Sequence, residues 1–70
     1  MKFTERLQQL RLENKVIQSE VAKALRVART TYASYEQGAR EPDLQTLSDI
    51  GVYFNVSVDY LTGTPMFEPE

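Results

Sequence analysis

The chain contains no cysteine, no histidine and no tryptophan, and only three glycines and three prolines among its 70 residues. Without cysteine there is no disulfide staple and no thiolate nucleophile. Without histidine as well, the usual zinc sites cannot be assembled. Few glycines and prolines beside 41% apolar residues set the chain apart from disordered sequences and point to a globular fold. No apolar run approaches the roughly 18 residues of a membrane span. No short apolar core follows a basic N-terminus, so no signal peptide is expected and a cytoplasmic protein is the default. No internal repeat is visible, and no segment alternates with period two; the nearest, Val56-Ser57-Val58, is too short for a strand.

Seventy residues make one domain. A chain of this size buries only about 60% of its unfolded surface, so its stability margin is thin. The net charge of −2 argues weakly against nucleic acid, but its distribution does not. From Lys15 to Arg40 there are five bases against two acids, a net +3; the remainder carries three bases and eight acids, a net −5.

Helical spacing recurs along the chain. Phe3, Leu7 and Leu10 mark a first helix, with Thr4 a candidate N-cap, ending near Asn14-Lys15. Val21, Ala22 and Leu25 mark a second from about Gln18 to Leu25. A third runs from about Ala28 to Gln37, with Tyr32 and Tyr35 inward and Gly38 at the left-handed C-cap position. Pro42-Asp43 opens a fourth, where Leu44, Leu47, Ile50, Val52, Tyr53 and Phe54 give a wide apolar face ended by Asn55. Ser57 caps a short fifth, with Asp59 in its first turn and Gly63-Thr64-Pro65 at its end. The expected fold is all-α, a compact five-helix bundle.

The segment RVARTTYASYEQGAR, residues 26–40, stands out. It places short polar side chains and one arginine on the outer face of helix three, directly after a second short helix and a tight turn. That order matches a helix-turn-helix, in which the second helix lies in the DNA major groove. Short side chains let a helix backbone come close to the bases. In such a frame Arg29 can donate twice to guanine, and Thr30 and Ser34 share its side. The Thr30 methyl or Ala33 would meet a thymine methyl. Gln18, among the free N–H groups that start helix two, would sit against a phosphate.

The stretch QSEVAKALRVARTTYASYEQGAREPDLQTL, followed by FNVSVDYLTG, resembles the Cro/CI-type helix-turn-helix family, also called the XRE family, over residues 3–63. Its most specific pieces are Gln18-Ser19-Glu20-Val21-Ala22, Tyr35-Glu36-Gln37-Gly38, Glu41-Pro42-Asp43-Leu44 and Val56-Ser57-Val58-Asp59-Tyr60-Leu61. The resemblance implies a lambda-repressor-like DNA-binding domain over residues 1–64, with 65–70 a short flexible acidic tail. It implies a sequence-specific regulator of transcription, a repressor, acting as a homodimer on double-stranded DNA at a pseudo-palindromic operator. By position, Ala28, Arg29, Thr30 and Ser34 would face bases, and Gln18, Gln37 and Arg40 would face phosphates. Arg11 and Glu36 would form a structural pair tying helix one to helix three.

The chain departs from the family pattern in four places. Arg26 and Lys15 stand where turn glycines are usual, and Ile17 and Ala28 where Ser or Thr caps are usual. Arg26 must bear a left-handed backbone cost of about 1 kcal/mol, and it is also a candidate phosphate contact. The stripe Tyr53, Val56, Val58, Tyr60 and Leu61 exceeds what so small a core absorbs. Its portion near helix five, Val56, Val58, Tyr60 and Leu61, is the candidate dimer surface.

Asp43 and Asp59 sit in first turns of helices, where the dipole favours them, and Asp49 has no partner motif. With no histidine and no glycine-rich phosphate loop, no enzyme, cofactor, metal or small-molecule site is expected. The competing expectation is a protein-interaction module of the same fold, antitoxin-like or an adaptor, binding through helix five or the tail.

Overall fold

Among the described residues five helices form: α1 Phe3–Glu13, α2 Gln18–Leu25, α3 Arg29–Gln37, α4 Leu44–Phe54 and α5 Val58–Thr62. The computed structural model describes residues 2–62, and no strand occurs among them. The all-α expectation therefore holds, with boundaries within two residues of those read from spacing. The expected stop at Gly63-Thr64-Pro65 and the acidic tail lie outside the described residues.

Helix starts use two devices. Asp43 caps α4 directly, its Oδ1 accepting from the Thr46 N–H at 2.8 Å, and the Ser57 Oγ accepts from the Tyr60 N–H at 3.0 Å ahead of α5. Elsewhere a glutamate three residues into the helix reaches back. Glu5 accepts the Lys2 N–H and Glu20 accepts the Ile17 N–H, both at 3.1 Å. The Thr4 expectation is corrected accordingly: Lys2 is the N-cap and Thr4 lies inside the helix. Ile17 and Ala28 cap without a side-chain hydrogen bond.

Helix ends share one device. After α1, α2, α3 and α4 the chain turns back with a bond to the carbonyl five residues earlier: Val16 to Arg11, Val27 to Ala22, Ala39 to Ser34 and Val56 to Gly51. Each closure needs a left-handed residue just before it. These are Lys15 (φ 57°), Arg26 (φ 63°), Gly38 (φ 82°) and Asn55 (φ 59°). Arg26 and Lys15 thus adopt the conformation that glycine takes without strain, at roughly 1 kcal/mol or more each.

The core gathers Leu7, Leu10, Val21, Ala22, Leu25, Tyr32, Tyr35, Ile50, Phe54 and Leu61, with Phe3, Val16, Val27 and Val56 packed against it. Both tyrosines of α3 are core residues, as their spacing predicts. Gly51 lets α5 come close: a Cβ there would stand 2.8 Å from the Val56 carbonyl oxygen.

Two apolar expectations are overturned. Leu61 is 0% exposed and belongs to the core, so it is no part of a dimer surface. Leu44 and Val52 are 81% and 82% exposed, so the inner face of α4 is narrower than the composition suggested. They are eight residues apart, along one line of the helix with Ser48, and that line points away from Ile50 and Phe54.

Candidate nucleic-acid interface

Helix α3 is held by its inner face. Tyr32, Ala33, Tyr35 and Glu36 are buried, while Arg29, Thr30 and Gln37 are exposed and Ser34 is half-buried. Burial of Ala33 corrects its reading as a thymine contact; that face of the helix meets the core. Ala28 is exposed at the N-cap. The Ser34 hydroxyl donates to the Thr30 carbonyl at 3.0 Å, which leaves its oxygen free to accept.

Behind α3 sits one buried charge. Glu36 is 3% exposed. Arg11 meets it in a bidentate pair, Nε to Oε2 at 2.6 Å and Nη2 to Oε1 at 3.3 Å. This is the pair the family resemblance implies. The structure adds three partners that spacing did not reveal. The Tyr32 hydroxyl donates to Oε2 at 2.6 Å, Gln18 Nε2 donates to Oε1 at 3.1 Å, and Gln8 Nε2 donates to the Glu36 backbone carbonyl at 3.0 Å. Helical spacing puts Tyr32 on one face with Glu36, four residues before it, but does not show that its hydroxyl bonds the carboxylate. No sequence signal links Gln18 to Glu36, because they are 18 residues apart.

These contacts fix the ionisation states. Burial by itself would raise the Glu36 pKa, but hydrogen bonds from Arg11, Tyr32 and Gln18 outweigh it and hold the carboxyl below its ordinary value. Arg11 is raised, chiefly by its hydrogen bond to Glu36. Tyr32 is raised by burial and then by its bond to the carboxylate. The group is therefore a permanent ion pair with a neutral phenol at neutral pH, and it locks α1, α2 and α3 together.

The remaining site residues separate into two groups. Gln18 begins α2, half-buried, and its Oε1 accepts from Arg29 Nη1 at 3.3 Å. The start of α2 and the start of α3 thus meet on one side of the domain. Gln37 and Arg40 are exposed at the other end of α3. Arg26 is not brought to this cluster. It lies at the far end of α2 and lines a groove of about 480 Å³ with Ala24, Leu25, Gln45, Asp49, Val52 and Tyr53.

On the candidate dimer surface Val56 and Val58 are half-buried and Tyr60 is 44% exposed. The Arg6 guanidinium lies 4.3 Å from the Tyr60 ring centroid. Its Nε is buried with no hydrogen-bond partner among the described residues. Among the described residues there is no cluster of metal-ligating side chains, and no helix is long and apolar enough to cross a membrane.

Two short helices joined by a three-residue turn, the second exposing a polar face and both anchored to α1 through one carboxylate, define a helix-turn-helix domain. The chain belongs to the Cro/CI-type, or XRE, helix-turn-helix family, whose pattern, described as Helix-turn-helix, matches residues 7–61. It is 38% identical over 61 residues to the transcriptional activator BcrR of Enterococcus faecalis, covering 87% of this chain and 30% of that protein. It is 32% identical over 56 residues to the cryptic phage CTXphi transcriptional repressor RstR of Vibrio cholerae, covering 80% of this chain and 50% of that one. The chain thus spans half or less of these relatives' length. Its fold matches the N-terminal DNA-binding domain of SinR from Bacillus subtilis, with a TM-score of 0.79, 28% identity and coverage of 94% and 96%.

Proposed function

We propose that this domain binds double-stranded DNA at a specific site as a homodimer and represses transcription by occluding the promoter. The observation that carries the reading is the outer face of α3, where Arg29 and Thr30 are exposed beside Ser34 while the inner face is locked into the core. Arg29 reads guanine, and Ala28, Thr30 and Ser34 line the approach to neighbouring bases. Gln18, Gln37 and Arg40 take phosphates. The dimer forms through Tyr60, Val56 and Val58, placing two α3 helices in successive major grooves about 34 Å apart. Repression needs only occupancy, whereas activation also needs a surface that holds the polymerase, so occlusion is the simpler reading. A reporter carrying the bound site between promoter and gene distinguishes the two.

Selection of bound sequences from a random duplex library tests the reading. A pseudo-palindrome with half-sites one helical turn apart is expected. Absence of enrichment would contradict it and favour a protein-interaction module. That second reading draws on Val52 and Tyr60, both substantially exposed apolar groups. Its binding would respond little to salt, whereas DNA binding falls linearly with log salt on a logarithmic scale.

A further inference from the structure

The groove of about 480 Å³ between the end of α2 and the outer side of α4 takes no residue from the exposed face of α3 or from α5. Its two charged side chains, Arg26 and Asp49, are of opposite sign. Among the described residues they form no ion pair with each other. The Arg26 guanidinium has no hydrogen-bond partner there, and Asp49 accepts from Gln45 Nε2 at 3.1 Å. Val52 and Tyr53 line the same groove, and Val52 continues an exposed apolar line along α4 with Leu44. A surface that holds one cation and one anion, unpaired and beside apolar side chains, is complementary to itself. About a twofold axis each Arg26 meets the partner's Asp49, while the apolar side chains cover one another.

We propose that this groove docks the same groove of a second copy, and that the contact joins two dimers bound at neighbouring sites on one duplex. This rests on the reading of the domain as a dimer on pseudo-palindromic DNA. Symmetry favours a second copy as the occupant. Two identical pseudo-palindromes in a row have a twofold axis between them as well as one within each. The adjacent protomers of neighbouring dimers therefore present the same face to each other, as an isologous contact requires. The size of the patch agrees. A complex stable in free solution takes about 800 Å² from each partner, which a few exposed side chains do not supply. Two copies held on one duplex meet at a roughly millimolar effective concentration, so a weak contact suffices there. Its consequence is cooperative filling of paired sites, and a steeper response to protein concentration than one site gives.

The test uses the full chain and duplexes carrying the selected site once or twice, with the distance between the two sites stepped by single base pairs. Footprinting reads the occupancy of each site. The second site is expected to fill about tenfold more tightly when the first is occupied, within the range usual for coupled sites. The effect should recur with the helical repeat of DNA, because only then do both dimers lie on one side of the duplex. Arg26→Asp and Asp49→Arg each set like charges against each other across the axis and are expected to abolish cooperativity. The double variant exchanges the two charges and is expected to restore it. Val52→Ser, at a fully accessible position, is expected to weaken cooperativity while leaving the single-site affinity unchanged. Two-site and single-site affinities are compared within each variant, so an unfolded fraction cancels. Independent filling at every spacing would overturn the contact and leave the groove to a different protein. Cooperativity that survives both charge reversals would overturn it as well. If the unaltered protein selects no pseudo-palindrome, the functional reading itself fails, and with it the inference.

Discussion

Glu36 shows how one side chain links stability to function. A nearly buried carboxylate is tolerable only when its hydrogen-bond capacity is filled, and Arg11, Tyr32 and Gln18 fill it. Tyr32→Phe leaves the ring in place but removes a bond to a charged group, and is expected to destabilise the domain by about 1.5–3 kcal/mol in denaturant unfolding. The sign of the pH dependence follows from the lowered pKa. The unfolded chain takes up the Glu36 proton at a higher pH than the folded one. The stabilisation is therefore complete above the ordinary value of 4.5 and is lost as pH falls through the lowered folded value. Asp43, lowered first by its side-chain hydrogen bond with Thr46 and then by the bond it accepts from the Thr46 N–H, acts in the same direction. Melting temperatures measured from pH 7 downward should show an acid-side decline that is shallower in Glu36→Gln, from a lower starting point. At this scale the Arg11 pair was legible through the family resemblance. The Tyr32 hydroxyl and the Gln18 amide were not, because periodicity tells which face a residue occupies and not what its terminal atoms meet.

At the scale of the element, all five helices were legible, because each carries its own apolar spacing and most carry recognisable ends. The failures are instructive. Thr4 is a good capping residue, yet the helix begins two residues earlier, with Lys2 as its N-cap, because Glu5 reaches back to the Lys2 N–H. Leu61 looked like surplus apolar surface, but close approach of α5 at Gly51 brings it into the core. Neither fact depends on local sequence alone. Two predictions belong here. Lys15→Gly relieves a left-handed backbone of 1 kcal/mol or more at an exposed site, offset in part by glycine's greater freedom when unfolded; a net gain of about 0.5 kcal/mol is expected in denaturant unfolding. Gly51→Ala forces its methyl onto the Val56 carbonyl and is expected to destabilise by about 1–3 kcal/mol in the same measurement.

For the whole molecule, the uneven charge resolves into a coherent picture. The net positive segment from Lys15 to Arg40 contains α2, α3 and the loop after it, which is the face proposed to meet DNA. The acids lie mainly on other elements, so a negative net charge is compatible with a local attraction that salt screens. Arg40→Ala is expected to weaken binding to all sequences alike and to reduce the salt slope by about one unit. Of the residues proposed for a dimer face, Tyr60 is exposed and Val56 and Val58 partly so, but Leu61 is buried and not available. Gln18 and Arg26 stand at opposite ends of α2, about 12 Å apart for eight residues, as the helix bounds read from spacing already imply.

The central claim is that the outer face of α3 reads base sequence through Arg29. It is tested most directly by measuring the affinity of Arg29→Ala for the selected duplex and for its single-base-pair variants. A loss of about 1–3 kcal/mol on the selected duplex is expected, with discrimination abolished at one base pair of each half-site and retained elsewhere. Retention of discrimination at every base pair would contradict it.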